Sequence, residues 1–131
     1  MMYEPLILTL KRKVEELEKL IPITLWEGNT NDVSQINLSD SIENYNRIKI
    51  YYYDNNWQNL SVEINNKKSS SISTCLMGIY NSGQWFNIKM KSITINRKLV
   101  SNVGFANYEF SDNSIIYNNN IYITKIEGYE K

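Results

Sequence analysis

The stretch Pro5-Leu6-Ile7-Leu8-Thr9-Leu10-Lys11-Arg12-Lys13-Val14-Glu15-Glu16-Leu17-Glu18-Lys19-Leu20-Ile21-Pro22-Ile23-Thr24-Leu25-Trp26 decides the fold, because its periodicity changes at Pro22. Before the proline, Ile7, Leu10, Val14, Leu17 and Ile21 recur at spacings of three and four. That is a helix with one apolar stripe. After it, short runs rich in isoleucine and tyrosine alternate in hydropathy and are broken by asparagine clusters, which reads as strands and turns. The sequence predicts an amphipathic oligomerisation helix over 1–21 and an antiparallel, jelly-roll-like β-sandwich over 22–131.

Pro5 suits the first turn of the helix, where its missing N–H costs nothing. Pro22 disfavours helical geometry at Ile21 and ends it. With Ile7, Val14 and Ile21 at a positions and Leu10 and Leu17 at d, Lys13 falls at g and Glu18 at e, a pairing suited to interchain salt bridges. A helix this short is marginal alone in water. Its stripe must meet copies of itself or its own sheet. Isoleucine at a with leucine at d favours two strands, so the β domain is expected to set any three-fold stoichiometry.

Among the strands, Arg47 to Tyr53 is the clearest, with Ile48, Ile50 and Tyr52 facing one way and Lys49, Tyr51 and Tyr53 the other. Leu60, Val62 and Ile64 form its hairpin partner. Strands are also expected at 23–26, 34–38, 72–80, 85–95, 104–110, 114–117 and 121–127. Glu27 to Asp32 reads as a turn, Ser39 to Asn44 as a turn or one helical turn capped by Ser39, and 72–80 as a central strand. The apolar parity of 85–95 slips between Met90 and Ile93, which predicts a bulge near Lys91-Ser92. Asp54-Asn55-Asn56, Asn81-Ser82-Gly83 and Asn118-Asn119-Asn120 read as turns.

The residues that usually carry chemistry are scarce. Histidine is absent, which removes the usual general base and the commonest metal ligand. Cys75 is the single cysteine and reads as a small hydrophobe. No glycine-rich phosphate loop occurs. The carboxylates lie mostly in turns with no shared spacing, and Asp54-Asn55-Asn56 and Asp112-Asn113 lack the ordered spacing of a calcium loop. The chain is therefore expected to be no enzyme and to hold no cofactor or metal. With 14 basic and 14 acidic residues, it has no cationic excess for nucleic acid. No segment is long and apolar enough to enter a membrane, and the first ten residues do not form a signal peptide. Tyr51, Tyr53, Trp57 and Trp85, accompanied by asparagines, are candidates for a sugar site, because rings stack on sugars and amides add directional hydrogen bonds. Core or interface packing accounts for the same aromatics.

Thr24-Leu25-Trp26-Glu27-Gly28-Asn29, followed by Ile36-Asn37-Leu38-Ser39-Asp40-Ser41-Ile42-Glu43-Asn44-Tyr45, resembles a pattern of bacteriophage and prophage tail proteins. There a Leu-Trp-x-Gly opening precedes a strand, a Leu-Ser-x-Ser turn, and Asn-Tyr leading into an Ile/Tyr strand. Ile121 to Tyr129 resembles the closing strand of such domains. The resemblance covers 23–53 and the last strand, and implies the C-terminal β-sandwich of a tail-fibre or baseplate receptor-binding protein. It implies a homotrimer located in the virion tail, with other tail proteins and cell-surface saccharide as partners. The matched positions are framework, so no sugar-binding residues carry over. The alternative reading is a free-standing bacterial carbohydrate-binding module, and a third is a small depolymerase.

Overall fold

The structure, a computed structural model, describes residues 3–54, 59–81, 86–109, 114–116 and 120–131. Helix α1 (Tyr3–Leu20) starts with Pro5 in its first turn. It closes with the Ile21 amide donating to the Glu18 carbonyl at 3.2 Å, just before Pro22 forbids another turn. Every side chain from Pro5 to Pro22 is exposed, so the helix does not lay its stripe on its own sheets. Its tie to the β domain is the Glu130 amide, which donates to the Lys19 carbonyl at 3.0 Å.

The strands are β1 (Ile23–Thr30), β2 (Arg47–Asp54), β3 (Asn59–Asn65), β4 (Ser71–Asn81), β5 (Phe86–Asn96), β6 (Leu99–Glu109), β7 (Ser114–Ile116) and β8 (Ile121–Tyr129). They form two four-stranded sheets with orders β1-β8-β2-β3 and β4-β5-β6-β7. All pairings are antiparallel. The chain is mainly β, a sandwich of two antiparallel sheets with one N-terminal helix. Ile48, Ile50, Ile123 and Ile126 from the first sheet and Leu76, Ile93 and Ile95 from the second are all buried between the sheets. Strands β2 and β3 pair as expected, with Ile48, Ile50 and Tyr52 opposite Ile64, Val62 and Leu60.

Several expectations are corrected. Glu27 to Asp32 is not a turn throughout, because β1 continues to Thr30 with register shifts beside Leu25 and after Glu27. An irregular, twisted edge strand tolerates the polar residues that suggested a turn. Residues 34–38 are not a strand. The Asp32 carboxylate accepts from the Ser34 amide at 3.0 Å and from its hydroxyl at 2.6 Å, and this local bonding nucleates a 3₁₀ turn over Val33–Gln35. Ile36 and Leu38 are nonetheless both buried. Ser41, not Ser39, caps the second 3₁₀ turn, Ile42–Asn44. Strand β4 lies at a sheet edge and not in the centre.

A register shift does fall between Ser92 and Ile93, where the bulge is expected, yet it does not cause the parity slip in 85–95. Strand β5 pairs with β4 without interruption from Asn96 opposite Ser71 to Phe86 opposite Asn81. The bulge belongs to β6: Ser92 faces Gly104 and Ile93 faces Asn102, so Val103 is the extra residue. The inward positions of β5 simply run on as Ile95, Ile93, Lys91 and Lys89, all buried, while Ile88 and Met90 face outward.

The residues that carry the tail-protein resemblance are framework. The Trp26 ring lies over Gly28, where a Cβ would stand 2.7 Å from it, and the Tyr45 ring lies over Gly128, where a Cβ would stand 2.5 Å away. The Tyr45 hydroxyl donates to Asp40 Oδ2 at 2.9 Å. Asn44 Nδ2 and the Ser41 amide donate to Asp40 Oδ1 at 2.8 and 2.9 Å. Burial and the neighbouring Asp40 push the Tyr45 hydroxyl up to about 12.

Buried Asn66 pins the turn into β4. Its amide donates to the carbonyls of Ile42, Tyr45 and Ser69 at 2.8, 3.0 and 3.2 Å, and Lys67 and Lys68 after it hold φ of 52° and 57°. Asn66→Ala is expected to cost about 2 kcal/mol, the scale of leaving buried carbonyls without donors. Urea denaturation reads this, and a change under about 0.5 kcal/mol would refute the pinning role.

Candidate functional surface

The outer face of the first sheet gathers the tyrosines. Strand alternation turns Lys49, Tyr51 and Tyr53 outward because Ile48, Ile50 and Tyr52 are drawn into the core. Strand β8 runs beside β2 and sets Lys125 opposite Tyr51 and Tyr122 opposite Tyr53. The rings of Tyr53 and Tyr122 stack with centroids 5.2 Å apart and planes 9° from parallel. The Tyr53 hydroxyl donates to Asn29 Oδ1 of β1 at 2.9 Å. On the other side, Ser61 and Asn59 of β3 stand opposite Tyr51 and Tyr53.

Charges on this face are balanced. Lys49 Nζ lies 4.8 Å from the Tyr51 ring centroid and Lys125 Nζ 5.9 Å. Lys125 bonds Glu127 at 3.1 Å, and that carboxylate holds its ammonium above the ordinary lysine range. Arg47 bridges Glu63 at 2.5 Å and Glu130 at 3.3 Å and stacks 5.0 Å from the Tyr129 centroid. A rigid sheet face with half-exposed rings, an amide and locally neutral charge suits a neutral, ring-shaped polar ligand better than a polyanion.

Of the four aromatic candidates, Tyr51 and Tyr53 share this face. Trp57 and Trp85 lie outside the described residues. Tyr122 and Asn29, which the sequence reading did not select, complete the cluster. Nothing local could have found them, since only the insertion of β8 between β1 and β2 brings them there. The seam residues Ile7, Leu10, Val14, Leu17 and Ile21 are each more than half exposed, from 52% to 63%. Among the described residues no group of three histidine, cysteine, aspartate or glutamate side chains gathers to hold a metal. Nor is any described helix long and apolar enough to cross a membrane.

The sandwich interior has a polar end. Asp54 closes β2 fully buried, so it is no turn residue. A Cβ on Gly78 would stand 2.7 Å from its Oδ2, so glycine there makes room for the carboxylate. The Tyr52 hydroxyl donates to the Met77 carbonyl at 2.8 Å and accepts from the Met77 amide at 3.1 Å. Lys91, fully buried, donates to the Asn31 carbonyl at 2.5 Å. Burial lowers the Lys91 ammonium to about 8 against the opposing pull of Asp32. Burial also lowers Lys89, with Asp54 opposing.

No protein-family model matches the chain, and no curated protein matches it.

The buried lysine predicts a pH dependence. An unfolded lysine keeps its proton to about pH 10.4, whereas folded Lys91 releases it near 8. Between these values the unfolded chain binds the extra proton, so stability from this group rises with pH and is lost as pH falls through 8. Lys91→Met is expected to raise the urea midpoint at pH 7 and to flatten the rise between pH 8 and 10. A lower midpoint at pH 7 with the rise intact would contradict this.

Proposed function

We propose that the chain is a structural protein of a phage tail, in a fibre or baseplate, that assembles as a homotrimer and attaches to the bacterial cell surface by binding saccharide. It acts by adhesion and not by catalysis. The observation that carries this reading is the helix stripe. Four apolar seam residues of the helix, with Ile21 just past its end, stand exposed and uncovered by the chain's own β domain, and such a stripe is stable in water when copies bury it. The resemblance in 23–53 and the closing strand supports the tail assignment. The tyrosine face of the first sheet, with Tyr51, Tyr53, Tyr122 and Asn29, supports the saccharide role. Other tail proteins are the remaining partners.

Light scattering on the full chain is expected to give the mass of a trimer, and Val14→Asp to dissociate it. Binding to the isolated cell-wall polysaccharide of a host strain is expected to weaken about tenfold in Tyr53→Ala, or about 1.4 kcal/mol. A full-length monomer that still binds glycan through Tyr53 would instead favour the free-standing carbohydrate-binding module. A trimer that binds no envelope component would leave a structural tail role and remove attachment.

A further inference from the structure

The outer face of the second sheet differs from that of the first. Its outward positions alternate with buried Leu76, Ile93, Ile95 and Val100. Among the described residues these outward positions include no aspartate, glutamate, lysine or arginine. One end is apolar: Met77 and Ile79 are 43% and 49% exposed, with Met90 and Ile88 directly opposite them on β5. Ile115 of β7, 56% exposed, stands at the other edge. A chain with 28 charged residues, the 14 basic plus 14 acidic, leaves one four-stranded face uncharged. Depletion of charge is the compositional mark of an interface core.

Gly104 gives an independent sign. It lies within β6, where a glycine costs about 0.5–1 kcal/mol relative to alanine. Its φ lies outside the left-handed region, and a Cβ built on it would meet nothing within 4 Å. Neither a left-handed φ nor a steric clash requires a glycine there, although Gly104 directly follows Val103, the extra residue of the β6 bulge. Together with Met90, Ser92 and Ala106 it lines a shallow depression on the uncharged face. Glycine in a strand interior marks a bulge, which Val103 supplies here, or the close approach of a ligand or another backbone, for which this open depression leaves room.

We infer that the uncharged face of the second sheet packs against a second copy of this chain. The inference rests on the homo-oligomer reading above and names the β-domain contact within it. An uncharged face is matched by another uncharged face, because a charged partner would lose solvation with nothing to pair. The chain itself carries such a face. Only Ile21 and Pro22 separate the helix from β1, so association of the helices would hold the β domains at high effective concentration beside one another. Each domain would then present its charged, tyrosine-bearing face outward and its uncharged face to its neighbour.

The test uses the full chain. Gly104→Lys puts an ammonium into space that the chain itself leaves open, so a folded variant is expected and circular dichroism checks it. Ser61→Lys on the charged face is the control. Light scattering over a concentration series reads association. Cys75, exposed on the same uncharged face, reads cover through its rate of labelling by a maleimide. Gly104→Lys is expected to raise the concentration of half-dissociation at least tenfold and to speed Cys75 labelling at fixed protein concentration, while Ser61→Lys does neither. If Gly104→Lys changes neither readout and Val14→Asp still dissociates the assembly, the sheet contact is overturned and the helix reading stands. A wild-type monomer at all concentrations overturns both. If Cys75 is shielded by phosphatidylcholine vesicles and not by raising protein concentration, the face belongs to a lipid surface and the self-contact is overturned.

Discussion

The pairing of β8 between β1 and β2 is the constraint on which the rest depends. It gives the first sheet its order, supplies Ile121, Ile123 and Ile126 to the core, and joins strands drawn from opposite ends of the chain. Gly128 in this strand admits the Tyr45 ring, whose hydroxyl secures the Asp40 turn. Lys125 and Tyr122 on its outward side complete the tyrosine face. The contact is long in sequence, so loop-closure entropy is met before the sheet gains its burial. The second sheet, a meander of neighbours in sequence, carries no such burden.

The parts legible in the sequence were those set by local periodicity. The stripe from Ile7 to Ile21, the stop at Pro22, the alternation of Arg47 to Tyr53 and its hairpin partner all follow from spacing of 3.6 or 2. What was not legible depended on pairing at a distance. The parity of Ile88, Met90, Ile93 and Ile95 points to a bulge near Lys91-Ser92, because apolar residues are expected to turn inward. The straight register with β4 overrides that preference and buries Lys89 and Lys91. The same override turns Ile88 and Met90 outward, so the supposed irregularity of β5 was the trace of an apolar outer face. The edge position of β4 was missed for the same reason, since its continuous apolar run came from two apolar faces and not from a central place. In the tyrosine cluster, Tyr51 and Tyr53 were legible from alternation, and Tyr122 and Asn29 were not, because they arrive through β8 and β1.

The two outer faces of the sandwich differ in their chemistry. One carries arginine, lysine and glutamate in balanced pairs around stacked tyrosines. The other is uncharged, with Gly104 lining a shallow depression. Under the proposals above, the first face meets a polar ligand and the second another copy of the chain. The antiparallel sandwich supplies both faces through alternation, which leaves every second residue free to serve the outside, and on β5 the apolar outer face comes with Lys89 and Lys91 buried within.

The Tyr52 hydroxyl has a consequence beyond the core. Strand β4 presents eleven residues, Ser71–Asn81, without a charge or a proline, and it is hydrogen-bonded on one side only. Such an edge invites runaway strand addition, the route to fibrils. The hydroxyl occupies both the amide and the carbonyl of Met77, midway along that edge. A foreign strand could not zip along β4 past this point without first evicting a buried tyrosine. Polymerisation through this edge is thus interrupted by a single phenol.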